Sequence, residues 1–457
     1  MVADAAHSRP AVARMLLGIL FCASILNTTD RAMLNFLVDP IRHDLHISDV
    51  QISLLQGLSF SIFYAIAGLP LGYAADRMSR TRLLTWGIAL WSGATVLSGL
   101  APSYGWLFAA RMVVGCGEAT LPPCALSLIA DSFNPAQRGR ALGFYLLGGA
   151  VSTGLAGLLV AWILVNAPRG AFDFIPGAAG APPWRIAMVA AGAAGRGVAL
   201  ALALQREPAR HGASLGASLG VTGKPAWRQV ARYLRTNAGV FVPLYAGFAA
   251  FSVAAYGTIA WAAPLLMRQF ALSPKTAGQN LGLTFVVAGI AGAILAGQII
   301  DRRYVLRHRP AKLTMLMILP LCMLPAAAAT LAPDATVATL QLALMIMLGP
   351  MATIVMLAVL AEMMPNDMRA VAVALLGIAG TMIGAVLGPL LIAECTQRVF
   401  QDPLLVGRAS LLVATPFLLL SSACFALCRA ALGRSLGLRS SLSQVMDADR
   451  PVAIDQT

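Results

Sequence analysis

Apolar residues in this chain come in runs of about 20 or more, the length a bilayer core demands of a helix, and the breaks between runs gather Arg, Asp, Pro and Gly. Dividing the chain at those breaks predicts twelve spans, at 14–38, 50–75, 82–100, 104–130, 139–165, 184–204, 239–267, 276–300, 312–332, 335–361, 370–395 and 404–429. The longest gap separates six spans from six. The expected organisation is a tail at 1–13, a six-helix half at 14–204, a basic linker at 205–238, a second half at 239–429 and a tail at 430–457. A surface helix is expected in the linker near Trp227, beyond a Gly/Ser/Ala-rich stretch.

Composition narrows the class. Of 457 residues, 58% are hydrophobic and 11% charged, against roughly a quarter charged in soluble domains, so a water-soluble globule is excluded. The net charge of +14 first suggests nucleic acid. However, 23 of the 33 basic residues fall in segments or at span ends on the side of both termini, seven on the opposite side and three deep within spans. That is the positive-inside pattern; it puts both termini in the cytoplasm of a multi-pass inner-membrane protein and leaves no need for a nucleic-acid partner. No small-residue cleavage site ends the first run, so it reads as an ordinary first helix. The seven cysteines lie in or beside apolar runs without disulfide or metal-site spacing. His7, His43, His46, His211 and His308 lie outside the spans, and no H-E-x-x-H, P-loop or G-x-S-x-G occurs. An enzyme and an ATP-driven pump are therefore not expected, and neither is a metal or cofactor.

An internal repeat supplies the next constraint. Gly72-Tyr-Ala-Ala-Asp76-Arg77 after span two returns as Gly297-Gln-Ile-Ile-Asp301-Arg302 after span eight. Independently, Asp131 and Arg138 after span four return as Glu362 and Arg369 after span ten. Two motifs at matching places imply duplication of a six-helix unit, the plan of a transporter whose halves rock about a site near the midplane.

The G-x-x-x-D-R-x-x-R run across Gly72–Arg80, with its weaker second copy, resembles the loop signature of the major facilitator superfamily. Within it, Asn27-Thr-Thr-Asp30-Arg31, Arg111-Met-Val-Val-Gly-Cys-Gly117-Glu118, Ser127-Leu-Ile-Ala-Asp131 and Arg206-Glu207-Pro208 resemble the Spinster-like branch. Thr28-Thr29 stand where that branch has an aromatic residue before the Asp, and Arg196 interrupts an apolar span six. The resemblance implies an all-α polytopic fold of twelve helices in two pseudo-symmetric halves. It also implies that Asp76 caps a helix of the other half and latches the inner gate, with Gly72, Arg77, Arg80, Asp131, Arg138, Asp301, Glu362 and Arg369 as further gating residues.

Four ionisable residues, Asp30, Arg31, Arg111 and Glu118, lie well inside spans, where a charge costs about 2.5–3.5 kcal/mol and must face a partner or a wet cavity. Arg111 and Glu118 are two turns apart on one face of span four, whereas Asp30 and Arg31 point about 100° apart. In the superfamily the first and fourth helices line the central cavity, which would bring these groups together. Two readings stand side by side. A carboxylate, Asp30 or Glu118, could shuttle protons by pairing with Arg in one state only, or the set could be a permanent ion-pair network. The second half offers Tyr256, Thr258, Trp261 and Thr353, and Tyr256 and Trp261 could line the cavity or face lipid. A charged wall opposite an apolar one suits an amphiphile with an anionic head, bound with Arg31 and Arg111. The expected activity is proton-coupled secondary transport of such a molecule by a monomer. Alternatives are a proton-coupled organic-anion or sugar-acid symporter, a drug-efflux antiporter, and a non-transporting receptor or scaffold.

Overall fold

The structure is a computed structural model that describes residues 10–174, 178–210, 227–300, 309–365 and 368–448. Spans one to six are Pro10–Phe36, Asp49–Gln56 with Leu58–Arg77, Arg80–Gly99, Tyr104–Glu118 with Leu121–Ser132, Pro135–Asn166, and Pro183–Ala203. Spans seven to twelve are Ala238–Gln269, Pro274–Ile300, Arg309–Cys322 with Leu324–Ala327, Ala335–Met363, Arg369–Gly377 continued by Ala385–Glu394, and Val406–Ala448. Eleven of these are long and apolar enough to cross a membrane. The twelfth, Arg80–Gly99, has 20 residues, with Trp, Ser, Thr and Gly diluting its aliphatic ones. A short helix at Trp227–Thr236 precedes span seven.

The chain stops and restarts its helices where the sequence supplies caps. Ser48 and Gln51 form a reciprocal capping box that starts span two, and Ser79 Oγ accepts the Arg82 N–H at the start of span three. Asp334 accepts from the Thr336 and Val337 N–H groups ahead of span ten. These side chains satisfy amides that helix ends leave unpaired, which is most costly close to lipid.

We call the membrane face bearing the termini the near rim and the opposite face the far rim. The halves meet at the far rim. The buried cluster that draws on both halves joins Met33, Leu37 and Ile52 to Trp261, Leu281 and Ile392, whereas the other two clusters stay within one half each. Glycines make the close approach possible: a Cβ on Gly278 would stand 2.8 Å from Gly157 O, and one on Gly282 would stand 2.8 Å from Gly154 O. Spans five and eight thus touch backbone to backbone, the means by which helices associate in lipid without a hydrophobic driving force. Among described residues, every hydrogen bond or ion pair crossing between the halves lies in the far-rim part: Ser53 Oγ donates to Pro389 O at 3.0 Å, and Arg268 bridges to Asp39 and Asp49. The two halves are therefore joined through their far-rim parts.

Candidate functional site

Spans one and four are joined by two ion pairs. Arg111 Nη1 donates to Asp30 Oδ2 at 2.9 Å, and Arg31 Nε donates to Glu118 Oε2 at 2.6 Å. Both carboxylates and both guanidiniums expected in one region are thus together, each helix contributing one of each sign. Thr95 Oγ1 of span three also donates to Asp30 Oδ2, at 3.2 Å. Arg31 Nη2 reaches Asn27 Oδ1 at 3.4 Å, and its guanidinium lies over the rings of Phe60 and Tyr64 at 4.0 and 4.9 Å. Span four breaks just after Glu118, because Pro122 and Pro123 have no N–H to give the carbonyls of Glu118 and Ala119.

Burial divides the four. The Arg31 side chain is 32% exposed, whereas those of Glu118, Arg111 and Asp30 are 0, 1 and 5% exposed. Glu118 Oε1, Asp30 Oδ1, Arg111 Nε and Asn27 Nδ2 are buried without a hydrogen-bond partner. Buried polar atoms are nearly always paired, so four orphans in one seam make it a place with spare donors and acceptors.

Beside this seam is a cavity of about 580 Å³. Span five lines it with Gly149 and Thr153; all the rest comes from the second half, including Phe248, Phe251, Tyr256 and Phe285. Gly149 links cavity and seam, since a Cβ there would stand 3.7 Å from Thr28 Oγ1, one turn before Arg31. Span eleven widens into a π-helical stretch at Ile378–Gly384 along this wall, and Gly380 lines the cavity. Such stretches unsettle the regular hydrogen-bond ladder and recur at functional sites. Trp261, which the sequence allowed either to line the cavity or to face lipid, does neither. It is 1% exposed, and its indole N–H donates to Pro389 O at 3.0 Å in the far-rim core. A tryptophan at that depth must satisfy its donor and fill space, and here it does both within the protein.

Arg268, which the sequence left unremarked, closes the far rim. It donates to Asp39 Oδ1 through Nε and Nη2 at 3.0 and 2.6 Å, and bidentately to Asp49 through Nη1 and Nη2 at 2.9 and 3.0 Å. Asp49 is fully buried, with Arg42 Nε at 3.5 Å as its other counter-charge. Arg268→Gln should leave that carboxylate short of a partner and weaken far-rim closure by about 3 kcal/mol, enough to move a large part of the population. Distances between labels on the far ends of spans one and seven should lengthen in liposomes; an unchanged distribution would remove Arg268 from the closure.

The near rim holds a second set, and each half repeats it. In the first half Arg80, 1% exposed, pairs with Asp131 and donates to Glu207 Oε1 at 2.9 Å, Ser127 Oγ at 2.8 Å and Pro208 O at 3.0 Å. In the second, Lys312 pairs with Glu362. Arg138 Nε donates to Phe133 O at 3.0 Å, and Arg369 Nε to Met364 O at 3.2 Å, in each case five residues back. The two repeated acid–arginine sets do not pair within themselves: each arginine caps the preceding helix end, and each carboxylate takes a cation from a neighbouring helix. Burial raises the Glu207 carboxyl, but hydrogen bonds from Ser79, Thr81 and Arg80 outweigh it and hold the group at about 2.

Of the expected gating residues, Arg80 bonds to Ser127 and Asp131 of its own half and to Glu207 and Pro208 at the start of the linker. Arg77 stacks on Tyr73 at 3.7 Å, and Gly72 has open space beside it. Asp76 accepts from Arg210 through its main-chain carbonyl. Asp301 lies outside the described residues.

Residues 20–389 match the profile of the Major Facilitator Superfamily. The chain belongs to that family. Its relatives include an MFS-type efflux pump of Mycolicibacterium smegmatis, 28% identical over 92% of this chain and 93% of the other. A probable L-galactonate transporter of Escherichia coli is 28% identical over 62% of this chain and 60% of the other, and protein spinster homolog 1 of Xenopus tropicalis is 37% identical over 30 and 26%. A crystal structure of a bacterial homologue of the human lysosomal transporter Spinster, inward-facing and unoccupied, superposes with a TM-score of 0.76 at 24% identity, covering 93% of this chain and 97% of that one. This major facilitator protein is a multi-pass membrane transporter of small molecules and not an enzyme, and it is similar to Spinster proteins.

Proposed function

We propose that this transporter moves a small anionic amphiphile by alternating access, coupled to protons. The observation that carries the reading is the asymmetry of its centre: among the described residues the charged groups of the site belong to spans one and four, and the cavity beside them is walled mainly by aromatic and aliphatic side chains of the second half. An anionic head would engage Arg31, the one partly exposed member of the set, while the tail takes the apolar wall. Glu118 or Asp30 would exchange its arginine for a proton when the head binds, and the orphaned oxygens Glu118 Oε1 and Asp30 Oδ1 are suited to that exchange. A permanent strut would have little use for unpaired atoms at its core.

The basic residues on the near rim support a cytoplasmic near rim in the inner membrane, so halves joined at the far rim correspond to the inward-open form of a monomer. The two halves act as moving bodies at 14–204 and 239–429, with the linker at 205–238 and tails at 1–13 and 430–457 outside them. Asp76, with Gly72 and Arg77, and Asp301 in the second copy, serve as inner latches that engage when the near rim closes.

Uptake into proteoliposomes under an imposed proton gradient tests the reading with lysophospholipids, sphingoid phosphates, hexuronates and cationic drugs. Gly349 lines the cavity with open space around its Cα, so Gly349→Leu should shorten the tail that fits. At about 0.8 kcal/mol per methylene, losing room for two should weaken a long-tailed substrate about 15-fold and leave a short-tailed one unchanged. Uptake of hexuronates alone, indifferent to Gly349→Leu, would replace the amphiphile by a sugar acid.

A further inference from the structure

Span six carries a charge for which the transport cycle has no use. Arg196 is exposed, lies seven residues before the end of Pro183–Ala203, and has no hydrogen bond or ion pair with any described residue. An arginine at that depth on a lipid-facing surface is costly unless its head reaches a polar partner toward the rim. Seven residues are two helical turns, so Arg196 shares a face of span six with Ala203. Ala203 lines a groove of about 770 Å³ at the near rim, between the ends of spans three and six, together with Arg82, Thr85, Trp86, Gln205 and Arg206.

The groove is polar and positive at its rim end. Arg82 and Arg206 are exposed, and neither guanidinium pairs with a described residue. The carboxylate on the groove, Glu207, is already engaged by Ser79, Thr81 and Arg80. The charged residues lining the groove are Arg82, Arg206 and Glu207, and Arg80 already pairs with Glu207, so both lining guanidiniums are left without a described counter-charge. Toward the bilayer centre the surface turns apolar: Trp86, Leu90 and Leu200 are 75, 50 and 64% exposed. Basic heads at headgroup level below an open apolar strip match the two ends of one molecule.

We infer that this groove is a binding site for an anionic phospholipid of the near-rim leaflet. Arg82 and Arg206 hold the phosphate with charge-assisted hydrogen bonds, Arg196 reaches down to it from span six, and the acyl chains lie along Trp86, Leu90 and Leu200. The site is separate from the central cavity, and it gives Arg196 the partner that a lipid-facing arginine requires.

Native mass spectrometry of the full-length protein in detergent, titrated with phosphatidylglycerol or phosphatidylcholine, tests the inference. Phosphatidylglycerol should be retained in preference, and Arg196→Gln and the Arg82→Gln/Arg206→Gln pair should weaken it about fivefold for each arginine removed. Thr85→Trp, which fills the groove without changing its charge, should also displace the lipid. Arg31→Gln, in the central site, should leave this binding in place while it impairs substrate uptake. Equal retention of the two lipids, or unchanged phosphatidylglycerol binding in the arginine variants, would overturn the assignment. Displacement by millimolar glycerol phosphate would overturn it too, by showing an anion site that needs no acyl chain.

Discussion

Arg111→Met is expected to lower the thermal stability of the purified transporter more than any other single change at the centre. Asp30 is 3% exposed, and Oδ1 of its carboxylate already has no partner, so Arg111 supplies its only described counter-charge within 4 Å. Taking one member from a buried pair leaves an uncompensated charge, at about 3–5 kcal/mol. Replacing both should be far milder, because a neutral Asn beside a Met needs no counter-charge. Asp30→Asn/Arg111→Met should therefore recover most of the loss, and unfolding followed in detergent for the two singles and the double gives the coupling directly. A single variant as stable as the parent would mean that the pair adds nothing to holding spans one and four together.

The features legible in the sequence are those that lipid makes conspicuous. Asp30, Arg31, Arg111 and Glu118 stand out because a charge inside an apolar run has few explanations, and the structure brings all four into one seam. Which carboxylate takes which arginine was beyond reach, since pairing depends on the rotation of span one against span four. The repeat was legible at Asp131 and Glu362, but not its chemistry. Arg80 and Lys312, their partners, come from the next helices in space and differ in residue type, so no motif links them. Arg268 gave no signal because Asp39 and Asp49 read as ordinary loop charges until folding brings them to the end of span seven, more than 200 residues away. Trp261 was ambiguous for the opposite reason: an aromatic residue in an apolar span suits a cavity, a lipid belt or a core equally well, and only the carbonyl of Pro389 beside its N–H decides.

The coupling proposal makes the sharpest demand on Glu118. Its side chain is fully buried, its only described ion pair is with Arg31, and Arg31 is the partly exposed member of the set. A substrate anion approaching Arg31 competes with Glu118 for the same guanidinium, and a buried carboxylate that loses its counter-charge is stabilised by taking a proton. Substrate and proton would then bind together and leave together. Glu118→Gln keeps the shape, frees Arg31 permanently and removes the titrating group. Accumulation driven by a proton gradient should fall to the level of empty liposomes, while exchange of internal for external substrate at equal concentrations continues. Binding itself should lose its dependence on pH, because the competing carboxylate is gone. Proton uptake recorded inside the vesicles during substrate entry should disappear with it. Gradient-driven accumulation at the parental rate in Glu118→Gln would shift the task to Asp30, and the same result in Asp30→Asn would leave the four charges as a strut between spans one and four.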